Sequence, residues 1–160
     1  MVAYVCPRGI GASAWTGDEK KQTQIRRRFM LLGQTADGMR VWDVRRAIQA
    51  LGQIEEARGM APSVGAIGPM AGIALYASLF EPRITDLHLF DLPTTHRDGP
   101  IFLNVLRYLD LPQAVALAAE HTDVSLRVPD AAAWQFPASV AKSLGWEPGR
   151  LSITATPHRQ

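Results

Sequence analysis

From Gly59 to Phe80 the chain carries no charged side chain, and this stretch limits the fold more than any other. As one helix it would be long enough to cross a bilayer. Its first half, however, holds Pro62, Gly65, Gly68, Pro69 and Gly72, which break helical continuity, and the uninterrupted apolar part, Ile73 to Phe80, is too short to span. The residues therefore predict a buried strand over Val64 to Ile67, a tight glycine-lined turn, and a helix from about Met70 to Phe80 that is apolar on all sides. Such a helix belongs inside a layered core.

The flanking sequence supplies the layers. Val2 to Cys6 is an apolar run ended by Pro7 and Gly9 and reads as a buried strand at the start of the chain. Thr16-Gly17-Asp18-Glu19 fits a capping box opening a helix whose apolar positions Ile25, Phe29 and Leu32 recur until Gly33. After an Asp37-Gly38 turn, Val41, Val44, Ile48 and Leu51 mark a second helix closed by Gly52, with Asp43 and Arg46 spaced to pair on its surface. Ile84 to Phe90 reads as a strand, Pro100 and Pro112 suit the first turns of two further helices, and Val124, Leu126 and Val128 alternate as in a strand. Pro137 to Leu144 reads as a helix ended by Gly145, and Leu151 to Ala155 as a last strand. Alternating strands and helices predict an α/β fold, a mostly parallel sheet with flanking helices joined by right-handed crossovers. Residues 1–160 are expected to form a single domain.

Seventeen basic and fifteen acidic residues leave a net charge of +2, which gives no electrostatic case for a nucleic-acid partner. Arg26, Arg27 and Arg28 spread around their helix and read as a solvated surface. Cys6 is the only cysteine, so no internal disulfide can form. No basic leader precedes the first apolar run, which favours the cytoplasm without fixing localisation. Histidine, aspartate and glutamate nowhere take the close spacing of a metal site, and no phosphate-cradling loop is present, so neither a metal nor a cofactor is expected. His88 lies within an apolar strand and reads as a packed, hydrogen-bonded residue. His96 falls on a loop that can face the carboxyl ends of the strands, and His121 lies near a helix end beside Glu120.

In open α/β sheets function gathers at the carboxyl ends of the strands. There the chain has Gly68-Pro69-Met70-Ala71-Gly72, the frame of a nucleophile elbow, Gly-x-Ser-x-Gly, in which a strained strand-to-helix turn lifts the central side chain above the sheet. The central residue is Met70, whose thioether has no proton to lose and cannot attack an acyl group. The same spacing also serves close helix packing with no chemistry attached.

Three further stretches carry a resemblance: Val5-Cys6-Pro7-Arg8-Gly9-Ile10-Gly11-Ala12-Ser13, Arg40-Val41-Trp42-Asp43-Val44-Arg45-Arg46-Ala47, and Leu109-Asp110-Leu111-Pro112 before an Ala-rich segment. Their order along the chain resembles the α/β-hydrolase superfamily, in the branch of acetyl xylan esterases and prolyl-oligopeptidase-like serine hydrolases. The resemblance implies the later part of such a domain, with the first strands and one oxyanion loop absent, and hence a partner chain or self-association that completes the sheet. It places Asp130 at the acid position of the triad, His158 at the histidine position, and the amide of Ala71 in the oxyanion hole. The implied function is a catalytically degenerate binding or structural module with an ester or carbohydrate-ester ligand. The alternative is an active ester hydrolase that uses another serine, Ser63 or Ser13, or that is completed by an upstream segment or a partner chain.

Overall fold

The computed structural model describes residues 1–156. Helices α1 (Glu19–Leu31) and α2 (Ala36–Leu51) precede an alternating run: β1 (Ser63–Ile67), α3 (Pro69–Ser78), β2 (Asp86–Phe90), α4 (Leu111–Ala119), β3 (Asp123–Val128), α5 (Gln135–Leu144) and β4 (Leu151–Ala155). The four strands form one parallel sheet in the order β1-β2-β3-β4. Parallel neighbours need a crossover between them, and α3, α4 and α5 are those crossovers.

The register explains which face is buried. Val64, Leu87, Val124 and Leu151 lie in one cross-strand row, and Ala66, Leu89, Leu126 and Ile153 in the next row on the same face. Both rows pack under small residues of α3 and α4, among them Ala71, Ala74, Ala114 and Ala118, which let the helices sit close to the strands. The intervening rows, Gly65-His88-Ser125-Ser152 and Ile67-Phe90-Arg127-Thr154, point to the other face. There Ile67 is 63% exposed, and His88, Arg127, Ser152 and Thr154 are exposed too. Parallel sheets are ordinarily covered on both faces. The described residues cover one.

Helix α3 is the apolar helix that the uncharged stretch requires, with seven of its ten residues buried. It lies on β1 and β2 and packs its outer side on α2, where Val41, Val44 and Ile48 meet Ile73, Ala77 and Ile84. Gly72 permits a close approach between helix and loop: a Cβ there would run into the ring of Pro100.

Five local expectations are corrected. Val2 to Cys6 forms no strand; the segment is extended, with Val2 80% and Tyr4 93% exposed, because no neighbouring strand among the described residues offers it a ladder. Helix α1 is capped by Asp18, whose carboxylate accepts from the amides of Lys20 and Lys21, so Thr16 is displaced from the cap. Asp37 and Gly38 are the first turn of α2, not a turn before it, since the Thr35 hydroxyl caps the helix at the Gly38 amide. No helix follows Pro100; the chain there is irregular apart from a short 3-10 turn at Val105–Arg107, and Phe102 packs against the rings of Tyr76 and His96. Asp43 pairs with Arg8 rather than Arg46: the Arg8 Nε donates to its carboxylate at 2.8 Å and the Arg8 amide at 3.0 Å. The Arg8 hydrogen bonds hold the Asp43 carboxyl below its ordinary range against the opposing effect of burial.

Candidate functional site

The carboxyl ends of the four strands lie along one rim because every pairing is parallel. At this rim β1 turns into α3 within one residue. That residue is Gly68, with φ 58° and ψ −132°, a backbone conformation open to glycine and strained for other residues. Its amide donates to the carbonyl of Phe90 at 2.8 Å, which fixes the turn against the end of β2. A Cβ placed on Gly68 would meet nothing within 4 Å, so the vertex faces open space.

Met70 is therefore not at the vertex. It stands two residues further on, inside the first turn of α3, half-buried and packed against the α2–α3 cluster. Ala71 is fully buried, and its amide donates to the Gly68 carbonyl at 2.9 Å, so that N–H is already engaged and does not point at the rim. The residue after the vertex is Pro69, which has no N–H to give. Thus the vertex of this strand-to-helix turn carries no side chain, and no amide donor directly follows it.

The other candidates are scattered. Asp130 is exposed at the rim just after β3, where its carboxylate accepts from the Ala132 amide at 2.9 Å and caps a short 3-10 turn. His158 lies outside the described residues. Ser63 opens β1 and so lies at the amino end of the sheet, opposite the rim. The Ser13 hydroxyl is held in its own loop, 2.6 Å from the Pro7 carbonyl and 2.9 Å from that of Ile10. His88 is exposed on the open face of the sheet and its ring makes no hydrogen bond among the described residues, against the expectation of a packed, hydrogen-bonded position. His121 is exposed 3.8 Å from Glu120.

His96 faces inward instead of towards the rim. Its Nδ1 lies 2.7 Å from the Pro100 carbonyl, which can only accept, so Nδ1 carries the proton and Nε2 accepts from the Tyr76 hydroxyl at 2.8 Å. The loop is held by Asp110, which receives the Thr95 hydroxyl and the His96 amide, both at 2.7 Å, while capping α4. Burial, with the Asp110 charge added, pushes the Tyr76 hydroxyl up to about 12. These groups form a closed structural network.

One rim residue escaped the sequence reading. Asp91 directly follows β2, is exposed, and takes a positive φ of 49°, with its amide bonded to the Arg127 carbonyl at 2.9 Å. It lies beside Gly68, so two left-handed residues mark adjacent strand ends. Nothing in Phe90-Asp91-Leu92 signals this beyond the tolerance of aspartate for that conformation.

A cavity of about 490 Å³ lies elsewhere, along the outer edge of β1 between that strand, α2 and the amino-terminal segment. Met70 helps to line it. Among the described residues, no helix is long and apolar enough to cross a membrane, and no group of three potential ligands could hold a metal ion.

No family model matches the chain, and no curated protein is similar enough to match it. The four-stranded parallel sheet with its flanking helices defines the class as α/β. A crystal structure of a candidate acetyl xylan esterase from Bacteroides fragilis NCTC 9343 shares the fold, with a TM-score of 0.66 over 94% of this chain at 14% identity. The chain spans 45% of the length of that structure.

Proposed function

We propose that this chain is a catalytically degenerate α/β-hydrolase-type module that binds or scaffolds and does not hydrolyse. The observation that carries the reading is Gly68 followed by Pro69 at the rim. Acyl transfer on an elbow needs a nucleophile at the vertex and the amide of the next residue to stabilise the oxyanion. Here both groups are missing at once, a stronger ground than the methionine two residues later. The likeness to an acetyl xylan esterase suggests an ester or carbohydrate ester as the ligand, seated at the rim near Asp91 and Asp130. No observation favours the rival serine hydrolase, since Ser63 lies at the wrong end of the sheet and Ser13 is tied into its loop.

The test pairs a fluorophosphonate probe, read by intact mass, with p-nitrophenyl acetate turnover. The expected result is no serine adduct and no turnover above that of an unrelated protein of similar composition. A stoichiometric serine adduct, with turnover abolished by His158→Ala, overturns the reading.

A further inference from the structure

We infer that the corner between α1 and α2 is a peripheral membrane anchor, which docks the protein on an anionic phospholipid surface without spanning it. The inference needs nothing from the rim. No residue of α1 is buried. Gln22, Ile25 and Phe29, spaced to share one side of the helix, are half-buried, and every other residue of α1 is exposed. That side is held by Trp15, whose ring stacks on Phe29 with 5.8 Å between centroids, and by the Gln22 side-chain amide, which donates to the Thr16 carbonyl at 2.9 Å.

The solvated side carries charge of one sign. Lys20, Lys21, Arg26, Arg27 and Arg28 are opposed on the helix by Glu19 alone, and none of the five forms an ion pair among the described residues. Charge is segregated along the chain as well: residues 1–34 hold six basic and two acidic side chains, net +4, and residues 35–160 hold eleven and thirteen, net −2. Beyond the arginines stands an apolar tip. Leu31 is 86% and Leu32 75% exposed, just before Gly33, whose positive φ of 70° turns the chain back towards α2.

The spacing fits a bilayer surface. Arg26, Arg27 and Arg28 stand about 100° apart around the axis and so ring the helix, and Leu31 lies ~6 Å further along it than Arg27. Interfacial anchors bury their apolar groups ~5–10 Å into the boundary between headgroups and acyl chains. At that depth the ring lies level with the lipid phosphates, which guanidinium groups bind in fork geometry. Nucleic acid would satisfy the cations and leave the leucines in water. A protein cover would shelter the leucines but strip water from unpaired cations. An anionic bilayer receives both, charge at its surface and apolar groups beneath.

Co-sedimentation with vesicles tests this. Phosphatidylcholine vesicles with about 30% phosphatidylserine, in ~0.1 M salt, are expected to bind the chain at least tenfold more tightly than phosphatidylcholine alone. Replacing the ring by Arg26→Gln, Arg27→Gln and Arg28→Gln together should weaken binding roughly 100-fold, about fivefold for each cation. Leu31→Ser with Leu32→Ser should weaken it at least tenfold at unchanged charge. Arg27→Gln and Leu31→Ser alone, with correspondingly smaller losses, take their place should a multiple variant fail to fold. No preference for the anionic vesicles, or binding that the serine variant keeps in full, overturns the inference. So does tighter binding to a short duplex DNA than to the vesicles, which would make the helix a polyanion site.

Discussion

Gly72→Ala sets two effects of opposite sign against each other inside one buried helix. Alanine in place of a mid-helix glycine favours the helix by about 1 kcal/mol. Against this, the new Cβ would lie 2.4 Å from Cδ and 2.9 Å from Cγ of Pro100, where carbon atoms in contact sit ~3.5 Å or more apart. The ring would have to retreat by roughly 1 Å. It is poorly free to do so, because the Pro100 carbonyl is bonded to the His96 ring and the next amide, Ile101, donates to Asp37 at 2.7 Å. Overpacking of this kind costs about 1–3 kcal/mol, and a ring held on both sides puts this clash in the upper part of that range, about 2–3 kcal/mol before the propensity gain is subtracted. The expected net effect is a loss of roughly 1–2 kcal/mol, which for a chain of this length lowers Tm by about 3–6 °C. Urea and thermal unfolding followed by circular dichroism measure it directly. In the double variant with Pro100→Ala the clash disappears, so the two changes should couple favourably by about 1 kcal/mol or more. A Gly72→Ala variant that is as stable as the wild type, or more so, refutes the close-packing argument.

Two further outcomes follow from the charged and hydroxyl groups. Asp43→Asn removes the carboxylate that Arg8 grips and should cost roughly 1 kcal/mol at neutral pH. Because the folded carboxyl titrates below its unfolded value, that stability is present above the unfolded pKa and is lost as pH falls through the folded one. Stability curves of wild type and variant, measured by urea unfolding, should therefore converge in acid; a constant gap from neutral pH to pH 2 would contradict the pairing. Tyr76→Phe leaves Nε2 of buried His96 without its donor, for a loss of about 1–2 kcal/mol near pH 7. With the folded hydroxyl raised to about 12 from an ordinary value of 10, the wild type should shed stability as pH climbs through that window, and the variant should not. Identical alkaline unfolding of the two proteins would rule this out.

Much of the scaffold could be read from pattern. Leu151–Ala155 has the expected bounds, Pro112 opens α4 as expected of a first-turn proline, and the uncharged stretch resolves into β1, a turn and α3. These succeed because periodicity, proline and glycine act locally. The site was less legible for a physical reason: two glycines four apart look alike in any frame, whereas the vertex is defined by a backbone angle that only Gly68 adopts between β1 and α3. The amino-terminal run failed differently. Val2, Tyr4 and Val5 have strand-forming side chains, but a strand exists only where another backbone receives its hydrogen bonds. The open sheet face was hidden as well, since apolar strand residues announce burial without saying on how many sides.

That open face has a colloidal consequence. The guanidinium of Arg127 sits 5.5 Å over the ring of Phe90, its cross-strand neighbour, and so places a hydrated charge over the largest apolar group in the row. A second sheet laid on this surface would have to strip water from that cation before touching the ring. The arrangement acts as a gatekeeper against face-to-face stacking at high protein concentration. Its cost to the chain is slight, because on an uncovered surface the charge never leaves solvent.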